Sequence, residues 1–159
     1  MGDGIEKGSG NIEDMKMTKI CLVTLIKDPS FYGKTTITLS LGMDSQENQE
    51  FRIKVKQDAL AVVTTGKKVT EGEQMLINQE VSTKDVQGLI SHLSELNIPA
   101  VPNGLCGFDG VTYTLKIEQV LNSATYTWWV DPPEGWEGLE KARCMMMGLA
   151  KGYGAGVLC

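Results

Sequence analysis

The clearest hydrophobic pattern in the chain is a pair of alternating stretches between residues 111 and 130. The first stretch has an apolar side chain at every second position: Val111, Tyr113, Leu115 and Ile117. The second stretch repeats this period with Ala124, Tyr126, Trp128 and Val130. A two-residue period is typical of strands with one buried face, so the two stretches predict a β-hairpin.

The same alternation predicts the register of the hairpin. If residues 119–122 form the loop, Glu118 lies opposite Ser123 and each apolar residue faces another one. A slip by one residue would mix the two faces, so this register is strongly favoured. Trp129 is the exception, because it falls on the polar face among threonines. We expect Trp136 or the second helix to cover it, or else a protein partner to bind it.

Five further strands and two helices are predicted by the rest of the chain. The strands lie near residues 19–27, 34–41, 50–56, 59–64 and 74–78. Ser82 can cap the first helix, with Asp85 three residues later as in a capping box. An apolar stripe follows at Val86, Leu89, Ile90, Leu93 and Leu96, and Pro99 ends the helix. The second helix begins near Trp136.

The order of these elements favours an α+β fold. We expect a mainly antiparallel sheet of about six or seven strands packed against two helices. Residues 18–150 form the single predicted domain. Residues 1–17 are glycine-rich with little to bury, so they predict a flexible tail. Residues 151–159 contain three glycines and predict a second tail rather than a continuation of the helix.

Composition narrows the classes of partner. The chain has 159 residues and a net charge of −5, which disfavours nucleic acid or an anionic membrane as the main partner. No apolar run approaches the roughly 20 residues of a membrane helix. Residues 1–17 lack the features of a signal peptide, so the cytoplasm is the expected location. The four cysteines are scattered, which favours free thiols in a reducing compartment.

The hairpin region also carries a resemblance. It reads DGxxY at residues 109–113, NSATYxWW at residues 122–129 and PxGW at residues 133–136. This string resembles a pattern in small uncharacterised bacterial proteins, in which a helix with an aliphatic face follows, as it does here. Some proteins of this build look like immunity proteins or other accessory products of toxin systems. The resemblance therefore implies a protein that binds a protein partner.

Three motifs that suggest chemistry have simpler explanations. The run from Asp28 to Thr35 ends like a phosphate-binding loop, but it lacks the first glycine and precedes a strand instead of a helix. His92 is the only histidine and falls at the rim of the apolar stripe, as a half-buried structural residue does. Residues 144–147 read Cys-Met-Met-Met, which suits adaptable core packing. No catalytic residue set, metal site or cofactor is predicted.

Two functions from different classes remain open. The first is a non-enzymatic intracellular protein that binds a partner through Trp129, Asp109, Asp131 and Trp136, with an immunity or antitoxin-like role. The second is a small enzyme or ligand-binding protein that uses carboxylates at the end of the hairpin, where the register brings Asp109 near Asp131. A pocket between these two carboxylates would favour the second function. Nothing in the sequence identifies the partner or the oligomeric state.

Overall fold

The computed structural model describes residues 18–43, 46, 48–58, 62–64, 67–69, 72–100 and 110–156. These residues form eight strands and two helices. In chain order the elements are β1 (Thr18–Pro29), β2 (Thr35–Met43), β3 (Gln49–Asp58), β4 (Val62–Thr64), β5 (Lys67–Val69), β6 (Glu73–Val81), α1 (Thr83–Ser94), β7 (Val111–Gln119), β8 (Ser123–Trp129) and α2 (Glu137–Gly152).

Six of the strands form one sheet in the order β6-β3-β2-β1-β7-β8, and each neighbouring pair is antiparallel. The predicted α+β fold with a mainly antiparallel sheet and two helices is therefore confirmed. One detail differs. The stretch between residues 64 and 74 was predicted as a connection, yet it contains β5, which pairs with β4 in a separate two-stranded sheet.

The core lies between one face of the sheet and the two helices. The central strands contribute Leu25, Leu39 and Ile53, which are fully buried because they occupy the same face at a two-residue period. The helices contribute Val86, Leu89, Leu139 and Met146 to this cluster. Leu115 and Trp128 from the hairpin are also buried there, and Tyr113 and Tyr126 pack at its edge. The predicted core face of the hairpin is therefore confirmed.

The register of the β7–β8 hairpin is the one that the alternation predicts. Glu118 lies opposite Ser123, and Tyr113 lies opposite Trp128. Their rings are 5.9 Å apart between centroids, a distance typical of aromatic pairs. Beyond the last ladder pair, the backbone N–H of Val130 donates to the carbonyl of Val111 over 2.8 Å. The hairpin therefore pairs along its whole predicted length.

The start of α1 also follows the sequence. The Ser82 hydroxyl accepts a hydrogen bond from the Asp85 backbone N–H over 3.3 Å, as an N-cap residue does. His92 is half-buried, and its Nε2 donates to the carbonyl of Gly138 in α2 over 2.8 Å. A Cβ atom on Gly138 would stand 2.5 Å from the Leu96 side chain, so α2 and the segment that follows α1 approach closely there.

The predicted C-terminal tail is wrong for residues 151–155. Helix α2 continues to Gly152 and ends in a Schellman motif. The N–H of Ala155 donates to Ala150, and the N–H of Gly154 donates to Lys151. Gly154 has a positive φ of +98°, so the glycine that was taken as a helix breaker supplies the conformation that closes the helix. Ala155 is buried in the core beyond it.

Candidate protein-binding surface

Three separate parts of the chain meet at the end of the sheet that holds the β1–β2 turn. Pro29 at the end of β1 lies opposite Val111 at the start of β7. One residue further on, the backbone N–H and the hydroxyl of Ser30 both donate to the carbonyl of Gly110 over 2.9 Å. The N–H of Gly110 in turn donates to the Ser30 hydroxyl over 3.2 Å. These bonds fix the β1–β2 turn against the end of the hairpin.

This end of the sheet exposes large apolar side chains. Phe31 is 60% exposed and Tyr32 is 65% exposed, both in the turn that Ser30 anchors. Val130 is 40% exposed at the end of β8 and follows the half-buried Trp129. We call Phe31, Tyr32, Trp129 and Val130 the turn-end surface. Adjacent exposed aromatic residues are uncommon on a surface that only faces water, and they are enriched at protein interfaces.

The backbone beneath this surface is strained. Val130 has a φ of +54°, a conformation that β-branched residues rarely adopt. Gly110 leaves room for this conformation because it has no side chain, and it has a φ of +143° itself. A Cβ atom on Gly110 would stand 2.7 Å from Val130 Cγ2 and 3.0 Å from Trp129 Nε1. Backbone strain of this kind concentrates at binding and catalytic sites, because the surrounding fold must hold it.

Trp129 takes neither of the two environments that the sequence predicted. It is half-buried, and its indole lies against Gly110. Trp136 does not cover it. The ring of Trp136 packs edge-on against Tyr126 at 5.6 Å, and its Nε1 donates to the carbonyl of Pro99 over 3.2 Å. Trp136 is buried, so the structure places this predicted partner-binding residue in the core rather than at a surface.

The structure describes three of the four predicted carboxylates. Asp131 is exposed directly after Val130, whereas Asp109 lies outside the described residues. Glu134 is exposed as well. Glu137 acts at the start of α2, where its carboxylate accepts a hydrogen bond from the Gly135 N–H over 3.0 Å. Hydrogen bonds from the backbone N–H groups of Glu137 and Gly135 lower the pKa of this carboxyl, so Glu137 is engaged by the backbone at the start of α2.

The described residues form a cavity elsewhere. It has a volume of about 540 Å³ and lies between α1 and α2, where Asp85, Leu89, Met145, Gly148, Leu149, Gly152 and Tyr153 line it. None of the hairpin-end carboxylates belongs to this lining. Because Asp109 lies outside the described residues, the enzyme hypothesis for the end of the hairpin, which requires a pocket between Asp109 and Asp131, stays a prediction.

Phe31 and Tyr32 were missed as candidate residues from the sequence. The run from Asp28 to Thr35 attracted attention only for its likeness to a phosphate-binding loop. As expected, a strand follows it, because β2 begins at Thr35. The signal that could have found the surface was the pair of adjacent aromatic residues inside a short polar turn, since a turn of this length leaves large side chains exposed.

No protein-family model, curated protein or solved structure matches this chain. Within the described part of the chain, no helix is both long and apolar enough to cross a membrane. The same residues contain no group of three or more His, Cys, Asp or Glu side chains that could hold a metal ion.

Proposed function

We propose that this chain is a non-catalytic protein that binds a protein partner through the turn-end surface. The observation that carries the proposal is the exposure of Phe31 and Tyr32, at 60% and 65%, in a turn that hydrogen bonds hold in place. A turn anchored in this way presents its aromatic side chains with little loss of entropy on binding. Large aromatic side chains of this kind supply most of the energy at many interfaces.

The surroundings of the surface favour a partner with basic residues around an apolar centre. Asp131 and Glu134 are exposed beside Val130, and the chain as a whole carries a net charge of −5. Acidic residues at the rim of an interface speed the approach of a positively charged partner and add little to the final affinity. The aromatic centre and the acidic rim therefore have separate roles in the proposed complex.

A narrower form of the proposal is an immunity or antitoxin-like role. It is supported by the resemblance of residues 109–136 to small bacterial proteins, some of which look like immunity proteins. The net negative charge of the chain also suits a basic toxin. In that case the partner is a toxin, and binding occupies the toxin surface needed for its activity.

Affinity capture tests the proposal. The wild-type chain is immobilised beside two variants, Phe31→Ser with Tyr32→Ser, and the control Met75→Ser. Met75 is exposed on the edge strand β6, two strands away from β2, so its replacement changes exposed apolar area at a residue outside the turn-end surface. We expect one protein from the source cell to bind the wild type and the control, and to bind the double variant at least about tenfold less tightly, which is 1.4 kcal/mol.

One result would count against the proposal, and one control is needed. Equal capture by all three proteins would show that the turn-end surface is not the binding site. Equal thermal melts of the three proteins must accompany any loss of capture, because an unfolded variant would lose binding for another reason. For the narrower form, the captured protein should inhibit growth when expressed alone, and co-expression of the wild type should restore growth.

A further inference from the structure

Strand β8 is an unprotected edge of the sheet. It pairs with β7 on one side, and no described strand pairs with its other side. Natural edge strands use charged residues, proline and β-bulges to prevent pairing with another chain. The seven residues of β8 contain none of these features. The opposite edge, β6, differs because it carries Glu73 and Glu80 and a register shift near Leu76. Of the two edges, β8 is therefore the one without protection against pairing with another chain.

The hydrogen bonds of the hairpin fix which backbone groups of β8 point outward. The backbone N–H of Gln119 donates to the carbonyl of Asn122, and that of Val130 donates to the carbonyl of Val111. The even-numbered residues of β8 therefore point their backbone N–H and C=O groups toward β7. Since the direction alternates along an antiparallel strand, the odd-numbered residues point their N–H and C=O groups away from β7. These are Ser123, Thr125, Thr127 and Trp129. The side chains of Ser123, Thr125 and Thr127 are exposed, so this edge is accessible.

We propose that β8 pairs antiparallel with β8 of a second copy of this chain, with the twofold axis beside Tyr126. This register uses the full length of the strand, because Tyr126 is its midpoint. Thr125 then faces Thr127 of the second copy, and Ser123 faces Trp129 of the second copy. Each of the four outward residues donates one hydrogen bond and accepts one. The two sheets become one continuous sheet.

Side-chain size also fits this register. On the helix side of the sheet, Ala124 lies opposite Trp128 of the second copy. On the other side, Ser123 lies opposite Trp129. Each tryptophan thus meets a small residue, and two threonines with β-branched side chains meet between them. A shift by two residues in either direction loses these pairings and leaves outward backbone groups unpaired.

The register also brings the exposed hairpin turn close to the residues that follow β8 in the second copy. Val120 is 75% exposed and Leu121 is 91% exposed at the hairpin turn. In the proposed dimer, positions opposite each other add up to 252, so continuing the register places Val120 opposite Pro132 and Leu121 opposite Asp131 of the second copy. The twofold axis creates this approach twice, so both turns lose exposed area in the dimer.

The absence of charge on β8 favours a second copy as the occupant. A charged peptide would find no complementary side chain on the strand, whereas an identical strand meets no like charge there. This inference goes beyond the proposed function. It shares Trp129 and Val130 with the turn-end surface, whereas Phe31 and Tyr32, which carry the proposed function, lie in the β1–β2 turn and take no part in the pairing. Each of the two proposals can therefore fail without the other.

Sedimentation velocity over roughly 1–300 µM tests the dimer, in the range where small interfaces associate. We expect the wild type to change from monomer to dimer as its concentration rises. Thr125→Pro removes an outward N–H without removing a bond to β7, and we expect it to raise the dissociation constant at least about tenfold. Thr125→Val keeps the N–H and the branched shape, so it should dimerise as the wild type does.

Leu121→Asp is a second variant at an exposed turn, where folding should not suffer, and we expect it to weaken the dimer as well. Met75→Asp on β6 should leave it unchanged. A wild type that is monomeric throughout the range would overturn the proposal. So would a dimer that Leu121→Asp and Thr125→Pro both leave intact, since its interface must then lie elsewhere.

Amide hydrogen exchange tests the register directly. At low concentration the N–H of Tyr126 is protected by β7, while those of Thr125 and Thr127 exchange quickly. At high concentration we expect Thr125 and Thr127 to become protected as well. Protection that rises with concentration at β6 instead of β8 would contradict the proposal. The variant Phe31→Ser with Tyr32→Ser should show the wild-type pattern, whether or not it still binds a partner.

Discussion

Gly110 and Val130 hold unusual backbone conformations side by side, and the first makes room for the second. Gly110→Ala would place a methyl group 2.7 Å from Val130 Cγ2 at a φ of +143°. We expect this change to lower the free energy of unfolding by about 1–3 kcal/mol. Gly148→Ala is the matched control, because this helical glycine has no atom within 4 Å of an added Cβ and should gain about 0.5–1 kcal/mol. Urea denaturation measures both.

The adjacent tryptophans should respond differently to truncation. Trp128 is buried in the core, so Trp128→Ala should cost about 3–5 kcal/mol. Trp129 is half-buried against Gly110, so Trp129→Ala should cost clearly less. Thermal or urea denaturation of the two variants gives the comparison. Equal losses would contradict the two faces that the alternation assigns to these residues.

The alternation predicted which face of the hairpin Trp129 occupies, because that depends only on its neighbours in sequence. What covers the residue could not be predicted in the same way. Its contact with Gly110 depends on a β1–β2 turn about 80 residues earlier in the chain, which Ser30 ties to Gly110. The exposure of Phe31 and Tyr32 depends on the same tertiary contact. The candidate surface therefore required the structure.

Among the elements, α1 has a cap that extends beyond its own sequence. The Ser82 N–H donates to the Tyr153 hydroxyl over 3.1 Å, and that hydroxyl donates to the Asp85 carboxylate over 2.5 Å. The tyrosine thus links the start of α1 to the end of α2. Ser82 and Asp85 were predicted as a capping box, but the third member was not, because Tyr153 lies 68 residues after Asp85.

This cap predicts a dependence on pH. Hydrogen bonds from Tyr153 and Ser82 lower the pKa of Asp85 below its ordinary value of 3.8. The ionised carboxylate therefore stabilises the folded state above pH 3.8, and this contribution is lost as the pH falls through the lowered pKa. Tyr153→Phe removes the first of these bonds, so it should reduce the stability near pH 7 and flatten the loss of stability as the pH falls below 3.8. Urea denaturation as a function of pH measures both effects.

Asp85→Asn serves as the control for this effect, because it removes the titrating group while keeping the size of the side chain. Its unfolding free energy should show the same flattened dependence on acid as Tyr153→Phe. If Tyr153→Phe instead keeps the wild-type profile, the bond between the hydroxyl and the carboxylate does not contribute to stability.

The start of α1 and the end of α2 show where local patterns succeed and fail. The cap at Ser82 is encoded by residues within one helical turn, so the sequence predicts it. The end of α2 is also local, since Gly154 closes a Schellman motif. It was missed because a glycine after a helix was interpreted as the start of a tail. The burial of Ala155 shows that the segment packs back on the core.

At the scale of the whole molecule, the fold class could be predicted and the strand order could not. Alternation and helix periodicity identify the types of element, which is enough for an α+β fold. The order β6-β3-β2-β1-β7-β8 depends on pairings between distant strands. The pattern of β1 fits any central position, since its apolar residues alone do not choose β7 over another neighbour.

The placement of β1 has a consequence for synthesis on the ribosome. Its second neighbour, β7, begins at Val111, which is 111 − 29 = 82 residues after Pro29. At about 5–20 residues per second, one edge of this apolar strand waits roughly 4–16 s for its partner. Nascent chains stalled before residue 111 should therefore be cleaved by protease in β1, and chains in which β7 has left the ribosome should resist. During that interval the unfinished chain exposes an unpaired apolar strand to other nascent chains, so a high level of expression should favour aggregation.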